Sequence, residues 1–319
     1  MTPPPVLVTR PLAEEILAFL RERCEVEVPG EDRAMPRDEL LDRLPGKHGA
    51  LTMLTDRIDD EALDAAGPSL RVLANHAVGY DNVDVAACTR RGVIVTNTPD
   101  VLTDATADMT WGLILSACRR IAEGDRLVRT GTPWEWSPGF MLGHEVTGKT
   151  LGIVGLGRIG RAVARRAAGF EMRVLVHTRT PPGDTQVVGL DELLTESDVV
   201  SIHLPLNEET RHRIGARELG LMKETGVLVN TSRGPVVDEA ALADALRAGR
   251  IAAAGLDVYE EEPRIHQRLL ELENTVLAPH LGSATVDTRT AMGMLAARNL
   301  TAVLSGLPPP TPINPEALG

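Results

Sequence analysis

Lysine and aromatic residues are scarce in this chain. Three lysines stand against 30 arginines among the 33 basic residues of the 319-residue sequence. Arginine keeps its positive charge and does not readily act as a base, so Schiff-base chemistry has few candidate residues here. Phe, Trp and Tyr make up only 3% of the chain, which argues against a stacking surface for single-stranded nucleic acid.

Cysteine is also rare, and its spacing excludes the usual metal and disulfide patterns. Cys24, Cys88 and Cys118 are odd in number, far apart and without a C-x-x-C pair, so we predict buried thiols and no metal site. The longest apolar stretch, around residues 109–118, is too short to span a bilayer. Residues 1–5 do not resemble a signal peptide, and we therefore expect a soluble, cytoplasmic protein that binds no membrane.

The chain is acidic overall. Its net charge of −12 and pI of about 5.2 predict no surface for nucleic acid or anionic lipid. An anionic ligand must therefore be bound by local positive groups. With 43% hydrophobic and 24% charged residues, the composition is that of a globular protein, and the length predicts about two domains.

Short β-rich runs alternate with helical patterns, which predicts parallel, doubly wound sheets of the α/β class. The first part has predicted strands at residues 6–9, 25–28, 50–54, 70–75 and 93–97, and a helix over 11–23. A single long helix over 103–129 precedes a loop at 130–142. The second part has predicted strands at 150–154, 173–177, 199–203, 227–230, 253–257 and 275–278, and a last helix over 284–304.

A G-x-G-x-x-G sequence lies at residues 155–160, between an apolar strand and an apolar-periodic helix. That context is typical of a dinucleotide-binding turn rather than of a purely structural glycine turn. Gly155 permits the tight turn, Gly157 lets the backbone approach the pyrophosphate, and Gly160 allows close helix–strand packing. The N–H groups at the start of the helix are expected to face the phosphates.

The end of the second strand of this unit predicts the cofactor. NAD-type sites place Asp or Glu there to bind the ribose 2′-hydroxyl, whereas this chain has Thr178, Arg179 and Thr180. Arg179 offers a planar partner for a 2′-phosphate, and the threonines add hydroxyl groups. We predict NADPH as the preferred cofactor, with NADH possible. The alternative is a solvated arginine beside a permissive pocket.

Three polar segments follow the carboxyl ends of predicted strands, the edge where ligands bind in open α/β sheets. They contain Arg233, Glu262 and His280. Taken singly, these residues can be a surface arginine, a solvated acid and a core histidine. Their occurrence together, downstream of a dinucleotide turn, favours a catalytic role.

The sequence resembles the D-isomer-specific 2-hydroxyacid dehydrogenase family, and within it the glyoxylate/hydroxypyruvate reductases. The matching stretches extend over nearly the whole chain, at residues 54–59, 78–84, 96–103, 155–160, 230–234, 255–263 and 279–285. The resemblance implies two Rossmann-like domains with an active-site cleft between them. The substrate-binding domain would comprise residues 1–98 and 289–319, and the dinucleotide-binding domain residues 99–288.

The resemblance also implies the reaction, in which a small 2-oxo acid is reduced to the D-2-hydroxy acid by hydride transfer from NAD(P)H. Arg233 would pair with the substrate carboxylate and polarise the 2-oxo group, and His280 would protonate the carbonyl oxygen. Glu262 would bind the other ring nitrogen of His280 and favour the imidazolium. Glu260 and Glu261 lie beside it, and Glu262 is chosen because a proline follows it, as in the family pattern.

Further contacts are carried over from the family in the same way. The N–H groups of Val78 and Gly79 would hold the substrate carboxylate, and Ser283 would place a hydroxyl beside the substrate. Besides the glycines and residues 178–180, the implied cofactor contacts are Thr103, Leu156, Arg158, Ile159, His203, Pro205, Thr210, Thr231, Ser232, Asp257 and Gly282.

The resemblance implies a homodimer, in which an aromatic residue of the 130–142 loop reaches the partner's substrate site. Phe140 is the closest match, Trp134 and Trp136 are alternatives, and plain loop packing explains these residues equally well. Phosphoglycerate, formate and D-lactate dehydrogenases fit the residues less well. A nucleotide-sensing corepressor on the same fold is a different alternative, and it would bind NADPH without turning over a 2-oxo acid.

Overall fold

The computed structural model describes residues 2–181, 183 and 186–318. The chain divides into two compact units, one formed by residues 1–102 and 285–319 and the other by residues 103–284. The predicted domain boundaries lie close to these divisions, and they stay a prediction. Each unit contains one sheet whose described strands pair in parallel, as the alternating β and α pattern indicates.

Strands and helices alternate along most of both units. In chain order the strands are β1 (Pro5–Val8), β2 (Glu25–Glu27), β3 (Gly49–Thr52), β4 (Val72–Asn75), β5 (Ile94–Thr96), β6 (Thr150–Val154), β7 (Arg173–His177), β8 (Val199–Ile202), β9 (Val227–Asn230), β10 (Ala253–Leu256) and β11 (Thr275–Leu277). The helices are α1 (Glu14–Arg21), α2 (Arg37–Arg43), α3 (Asp60–Ala66), α4 (Val85–Arg90), α5 (Thr103–Cys118), α6 (Ile121–Arg129), α7 (Arg158–Ala167), α8 (Leu190–Glu196), α9 (Ala216–Leu221), α10 (Glu239–Arg247), α11 (Gln267–Leu270) and α12 (Val286–Leu304).

The sheet of the first unit has the strand order β2-β1-β3-β4-β5. Side chains of a strand alternate between its faces, so Val6 and Val8 pack on one face with α1 and α12, while Leu7 packs on the other with α2, α3 and α4. Because helices cover both faces, the four other strands are mostly apolar, whereas the edge strand β2 carries Glu25 and Glu27. Asp59 and Asp84 are the N-cap residues that precede α3 and α4, and each side chain accepts a backbone N–H of the first turn.

The sheet of the second unit has the order β11-β10-β9-β8-β6-β7. After β7 the chain returns past β6 to form β8, so the strand order reverses between β6 and β8. Ligands of open α/β sheets bind outside the carboxyl ends of the strands at such a point. Helices α5 and α7 pack on one face, and α8, α9 and α10 pack on the other.

The prediction of one helix over 103–129 is wrong. Helix α5 ends at Cys118 and α6 begins at Ile121, because Arg120 between them has a left-handed backbone with φ of +55°. The N–H of His144 donates to the Cys118 carbonyl at 2.8 Å. The Arg120 guanidinium donates to Glu123 at 2.6 Å. The first of these contacts comes from residues distant in the sequence, so the apolar periodicity alone does not show the break.

The other elements agree with their predicted positions to within a few residues. All three cysteines are free and buried, which confirms the predicted thiols. Across the described part of the chain, no helix combines the length and the apolar character needed to cross a membrane.

Candidate active site

The glycine-rich turn connects β6 to α7. Gly155 has φ of +97°, and a Cβ there would lie 2.6 Å from the carbonyl oxygen of His203, so close approach and conformation both require glycine. A Cβ on Gly160 would collide with the carbonyl oxygen of Gly155. The position a Cβ of Gly157 would take has no atom within 4 Å. The turn therefore leaves open space beside the N-terminus of α7, where a pyrophosphate fits.

The next predicted cofactor contacts lie in the glycine turn, at the start of α7 and after β7. Leu156 is buried beneath the turn, Arg158 is exposed at the helix start, and Ile159 packs partly against the core. Residues 178–180 follow the carboxyl end of β7, where Thr178 is half-buried. Arg179 is exposed and its Nη1 lies 2.5 Å from Glu209. The donor set fits a nicotinamide dinucleotide.

The loop after β8 carries three further candidates. Nε2 of His203 lies 2.8 Å from the Ser201 hydroxyl, and burial lowers the pKa of His203 to about 3, so its ring is neutral at neutral pH. The Thr210 hydroxyl donates to the Pro205 carbonyl at 2.6 Å. This bond closes the loop on itself beside Gly155, at the point where the strand order reverses.

The candidates at the end of β9 are held by Asn230. Its Oδ1 accepts from the Ser232 N–H at 3.0 Å and from the Ser232 hydroxyl at 2.8 Å, and its Nδ2 donates to the Arg233 carbonyl at 2.9 Å. The Thr231 hydroxyl lies 2.8 Å from that of Thr110 in α5. The backbone of Arg233 is therefore fixed at the carboxyl edge of the sheet.

The structure brings His280 and Glu262 together. Nδ1 of His280 lies 2.8 Å from Oε2 of Glu262, whose Oε1 accepts from the Tyr259 N–H at 3.0 Å. Burial alone would raise the pKa of Glu262, but the hydrogen bond and charge of His280, the Tyr259 N–H and the charge of Arg233 hold that pKa below its usual value. Glu262 is thus ionised at neutral pH. Since Nδ1 is engaged, Nε2 is the ring nitrogen that can donate to a substrate.

Asp257 shapes the turn that carries His280. Its carboxylate accepts from the N–H groups of Leu281 at 2.6 Å and Gly282 at 2.7 Å, and its carbonyl accepts from the His280 N–H at 2.9 Å. Burial raises the pKa of Asp257, against the opposing effect of these two carboxylate hydrogen bonds. His280 has φ of +56°, so Asp257 helps to hold a conformation that few side chains adopt. Ser283 follows, half-buried.

In the first unit, the loop after β4 has its carbonyl groups fixed by hydrogen bonds. The carbonyls of residues 77–79 accept, in order, from the Thr98 N–H at 2.8 Å, the Asn97 Nδ2 at 2.8 Å and the Asn75 Nδ2 at 2.9 Å. In a trans peptide the N–H points opposite to the preceding carbonyl. The N–H groups of residues 78–80 therefore face away from these donors.

Those N–H groups belong to Val78, Gly79 and Tyr80. Within this unit, no described residue accepts a hydrogen bond from any of the three. Successive backbone N–H groups that are left without an internal acceptor can bind an anion. The arrangement suits a carboxylate at Val78 and Gly79, and it adds Tyr80 as a third donor.

Sequence reasoning missed Tyr80 and the two asparagines that orient the loop. Asn75 is the last residue of β4 and Asn97 follows β5, so both stand at strand ends, where polar residues are informative. Both asparagines donate to backbone carbonyls. No sequence pattern indicates a contact of this kind.

Comparisons with known proteins place the chain in a family. The sequence model described as "D-isomer specific 2-hydroxyacid dehydrogenase, NAD binding domain" matches residues 111–282. A glyoxylate reductase of Thermococcus gammatolerans is 52% identical to this chain, over 99% of it and 97% of the relative.

Solved structures of other proteins are also similar to this chain over nearly its full length. The TT0316 protein of Thermus thermophilus has a TM-score of 0.92 and 47% identity, with 97% of this chain and 99% of that one covered. An NADPH-dependent glyoxylate/hydroxypyruvate reductase of Sinorhizobium meliloti, in complex with NADP and malonate, has a TM-score of 0.87 and 35% identity, with 99% and 98% covered. The chain therefore belongs to the D-isomer specific 2-hydroxyacid dehydrogenases, a family of oxidoreductases that use a nicotinamide cofactor.

Proposed function

We propose that this protein reduces glyoxylate or hydroxypyruvate to the D-2-hydroxy acid. The observation that carries the proposal is the 2.8 Å contact between His280 and Glu262, on strand ends of the unit that also holds the dinucleotide turn. Glyoxylate reductases with up to 52% identity over nearly the full chain support the substrate class. The bound cofactor supplies the hydride.

Each catalytic side chain has a distinct task in this proposal. Arg233 pairs with the substrate carboxylate and polarises the 2-oxo group, since its guanidinium offers two parallel donors. His280 donates the proton on Nε2 to the carbonyl oxygen while hydride reaches C2, so one hydride and one proton are added in total. Glu262 stabilises the imidazolium before this transfer. The N–H groups of Val78 and Gly79 hold the carboxylate, and Ser283 adds a hydroxyl.

The substrate class is tested by a steady-state panel of 2-oxo acids with NADPH and with NADH. We expect glyoxylate and hydroxypyruvate to give the highest kcat/KM values, ahead of pyruvate and larger 2-oxo acids. Tight NADPH binding without turnover of any 2-oxo acid would instead indicate a nucleotide sensor.

We infer that NADPH is preferred over NADH, because Arg179 follows β7 where an acidic residue would select NADH. Arg179 is paired with Glu209 at 2.5 Å, and both side chains are about three-quarters exposed. A surface pair of this kind contributes little free energy, so a 2′-phosphate can displace Glu209.

Replacing Arg179 with alanine is expected to weaken NADP⁺ binding about tenfold, because a hydrogen-bonded charge pair is lost. The Kd of NAD⁺ should change little, since NAD⁺ has no 2′-phosphate. Titration calorimetry with both nucleotides measures the two constants. Arg173→Ala, at the opposite end of β7, is the matched control and should leave both unchanged. Equal affinities of the parent protein for NADP⁺ and NAD⁺ would contradict the preference.

We also propose a homodimer formed through residues 121–142. Among the described residues, this segment contains five large apolar side chains that are exposed, namely Ile121, Val128, Trp134, Trp136 and Leu142. Exposed apolar patches of this kind mark interaction surfaces. Phe140 is partly buried and stacks with Trp134 at a centroid distance of 6.0 Å, which favours Trp136 as the more available aromatic at this surface.

Sedimentation equilibrium is expected to give twice the chain mass of 34.3 kDa. The double substitution of Trp134 and Trp136 by serine should shift the protein toward the monomer, because it removes the two largest side chains of the exposed segment. A wild-type protein that sediments as a monomer at micromolar concentration would rule out the dimer.

A further inference from the structure

Three consecutive acids, Glu260, Glu261 and Glu262, have three different partners in the structure. Glu262 contacts His280, and Glu261 is exposed and pairs with the neighbouring Arg264 at 3.0 Å. Glu260 instead faces inward. We propose that Glu260 and Glu239 are positioning residues that fasten the turn carrying Glu262 to the segment that follows Arg233. This inference rests on the proposed function.

The two acids bind each other's backbone. Oε1 of Glu260 accepts from the Glu239 N–H at 2.8 Å, and Oε1 of Glu239 accepts from the Glu260 N–H at 2.6 Å. Glu239 is only 5% exposed. A buried carboxylate needs such partners, because burial without them is costly. The reciprocal pair joins the first residue of α10 to the 259–262 turn.

A close backbone approach joins the same two segments. A Cβ on Gly234 would collide with the Tyr259 carbonyl group and lie too close to the Glu260 nitrogen. The residue after Arg233 is thus pressed directly against the turn, and only glycine fits there. The contact at residue 234 and the pair at residue 239 fix both ends of one short stretch to one turn.

A third segment meets the second oxygen of Glu260. Oε2 of Glu260 lies 2.9 Å from Nε2 of His212, and the N–H of His212 donates to the Pro235 carbonyl at 2.7 Å. His212 therefore contacts both the 259–262 turn, through Glu260, and the segment after Arg233, through Pro235. Glu260 is the side chain at which the three segments meet.

We expect the contacts of Glu260 and Glu239 to affect catalysis through the position of Glu262. Only one residue, Glu261, separates Glu260 from Glu262, and the Tyr259 N–H, at the other end of the turn, binds Glu262 directly. If the turn moves, the carboxylate that holds Nδ1 of His280 moves with it, while Arg233 stays fixed by Asn230. A misplacement of about 1 Å in an active site can cost a hundredfold in rate.

The test compares Glu260→Ala with Glu261→Ala in the full-length protein. We expect Glu260→Ala to lower kcat for glyoxylate by about 10- to 100-fold, while the Kd of NADPH, followed by its fluorescence, stays within about twofold because the glycine turn is untouched. Glu261→Ala, the matched control on the exposed neighbour, should keep wild-type kcat. Glu260→Gln should recover most of the rate, because its amide oxygen can still accept from the Glu239 N–H.

The outcomes separate the two proposals. A folded Glu260→Ala protein with wild-type kcat overturns the positioning role, and so does a loss of rate with an equal loss of NADPH affinity. If Glu260→Ala does not fold, Glu260→Asp, which keeps the charge but is one methylene shorter, should still lower kcat several-fold, and an unchanged kcat overturns the inference. If His280→Ala and Glu262→Gln also keep full activity, the proposed function itself fails.

Discussion

Replacing His280 with alanine is expected to lower kcat by about 10²- to 10⁴-fold, the usual contribution of a positioned general acid. The reason is that Nδ1 is held by Glu262 at 2.8 Å, which leaves Nε2 as the donor to the carbonyl oxygen. The Kd of NADPH should stay near its wild-type value, because the dinucleotide turn lies on other strand ends of the unit. Stopped-flow turnover and fluorescence titration measure the two quantities.

Two further variants sharpen this test. His280→Gln keeps a polar side chain but has no titratable proton, so it should lose nearly as much rate as alanine. Glu262→Gln leaves the imidazole in place and removes the carboxylate charge together with one of its two acceptor oxygens, so its loss should be smaller. Retained turnover in His280→Gln, or loss of NADPH binding in His280→Ala, would show that His280 is not the proton donor.

Replacing Arg233 with alanine is expected to lower kcat/KM by about 10²- to 10³-fold, the usual effect of removing one donor from the developing oxyanion. Because the same side chain holds the carboxylate and polarises the carbonyl, KM should rise and kcat should fall together. Initial rates over a range of glyoxylate concentrations separate the two effects.

Lysine is the informative control at this position. Arg233→Lys keeps the positive charge but loses the planar fork that binds a carboxylate through two bonds, so it should recover only part of the loss. A variant in which KM rises with kcat unchanged would limit Arg233 to substrate binding. Wild-type kinetics in Arg233→Ala would remove it from the site altogether.

Much of the fold follows from the sequence because its signals are local. The strands are short, apolar and bounded by turn residues, so alternation with helices predicts two parallel sheets. The helix break at Arg120 was not predictable in this way, because the Cys118 carbonyl is satisfied by His144, which is distant along the chain. A long-range contact of this kind overrides the apolar periodicity of residues 103–129.

In the candidate site, too, the sequence indicates the reactive side chains but not the contacts to backbone groups. Arg233, Glu262 and His280 are side chains with recognisable chemistry at strand ends, and the sequence singles them out, although their catalytic roles stay predictions. Asn97 and Glu260 act on backbone groups, through the Val78 carbonyl and the Glu239 N–H. Backbone geometry of this kind requires the folded structure, since neither residue type nor spacing encodes it.

In an acidic protein, local positive groups are needed to bind anionic ligands. With a net charge of −12, the overall field repels anions, and the proposed cofactor and substrate are both anionic. Arg179, Arg233 and the N–H groups of residues 78–80 are therefore the groups expected to overcome that repulsion at short range.

In the proposed reaction, hydride passes from a nicotinamide cofactor to C2 of a 2-oxo acid while the protein protonates the oxygen. The most direct test is the reduction of hydroxypyruvate with NADPH in which both hydrogens at C4 of the nicotinamide are replaced by deuterium. We expect one NADPH to be oxidised for each D-glycerate formed, with one deuterium at C2 of the product. Glycerate without deuterium, the L-isomer, or NADPH binding without turnover would contradict the proposed reaction.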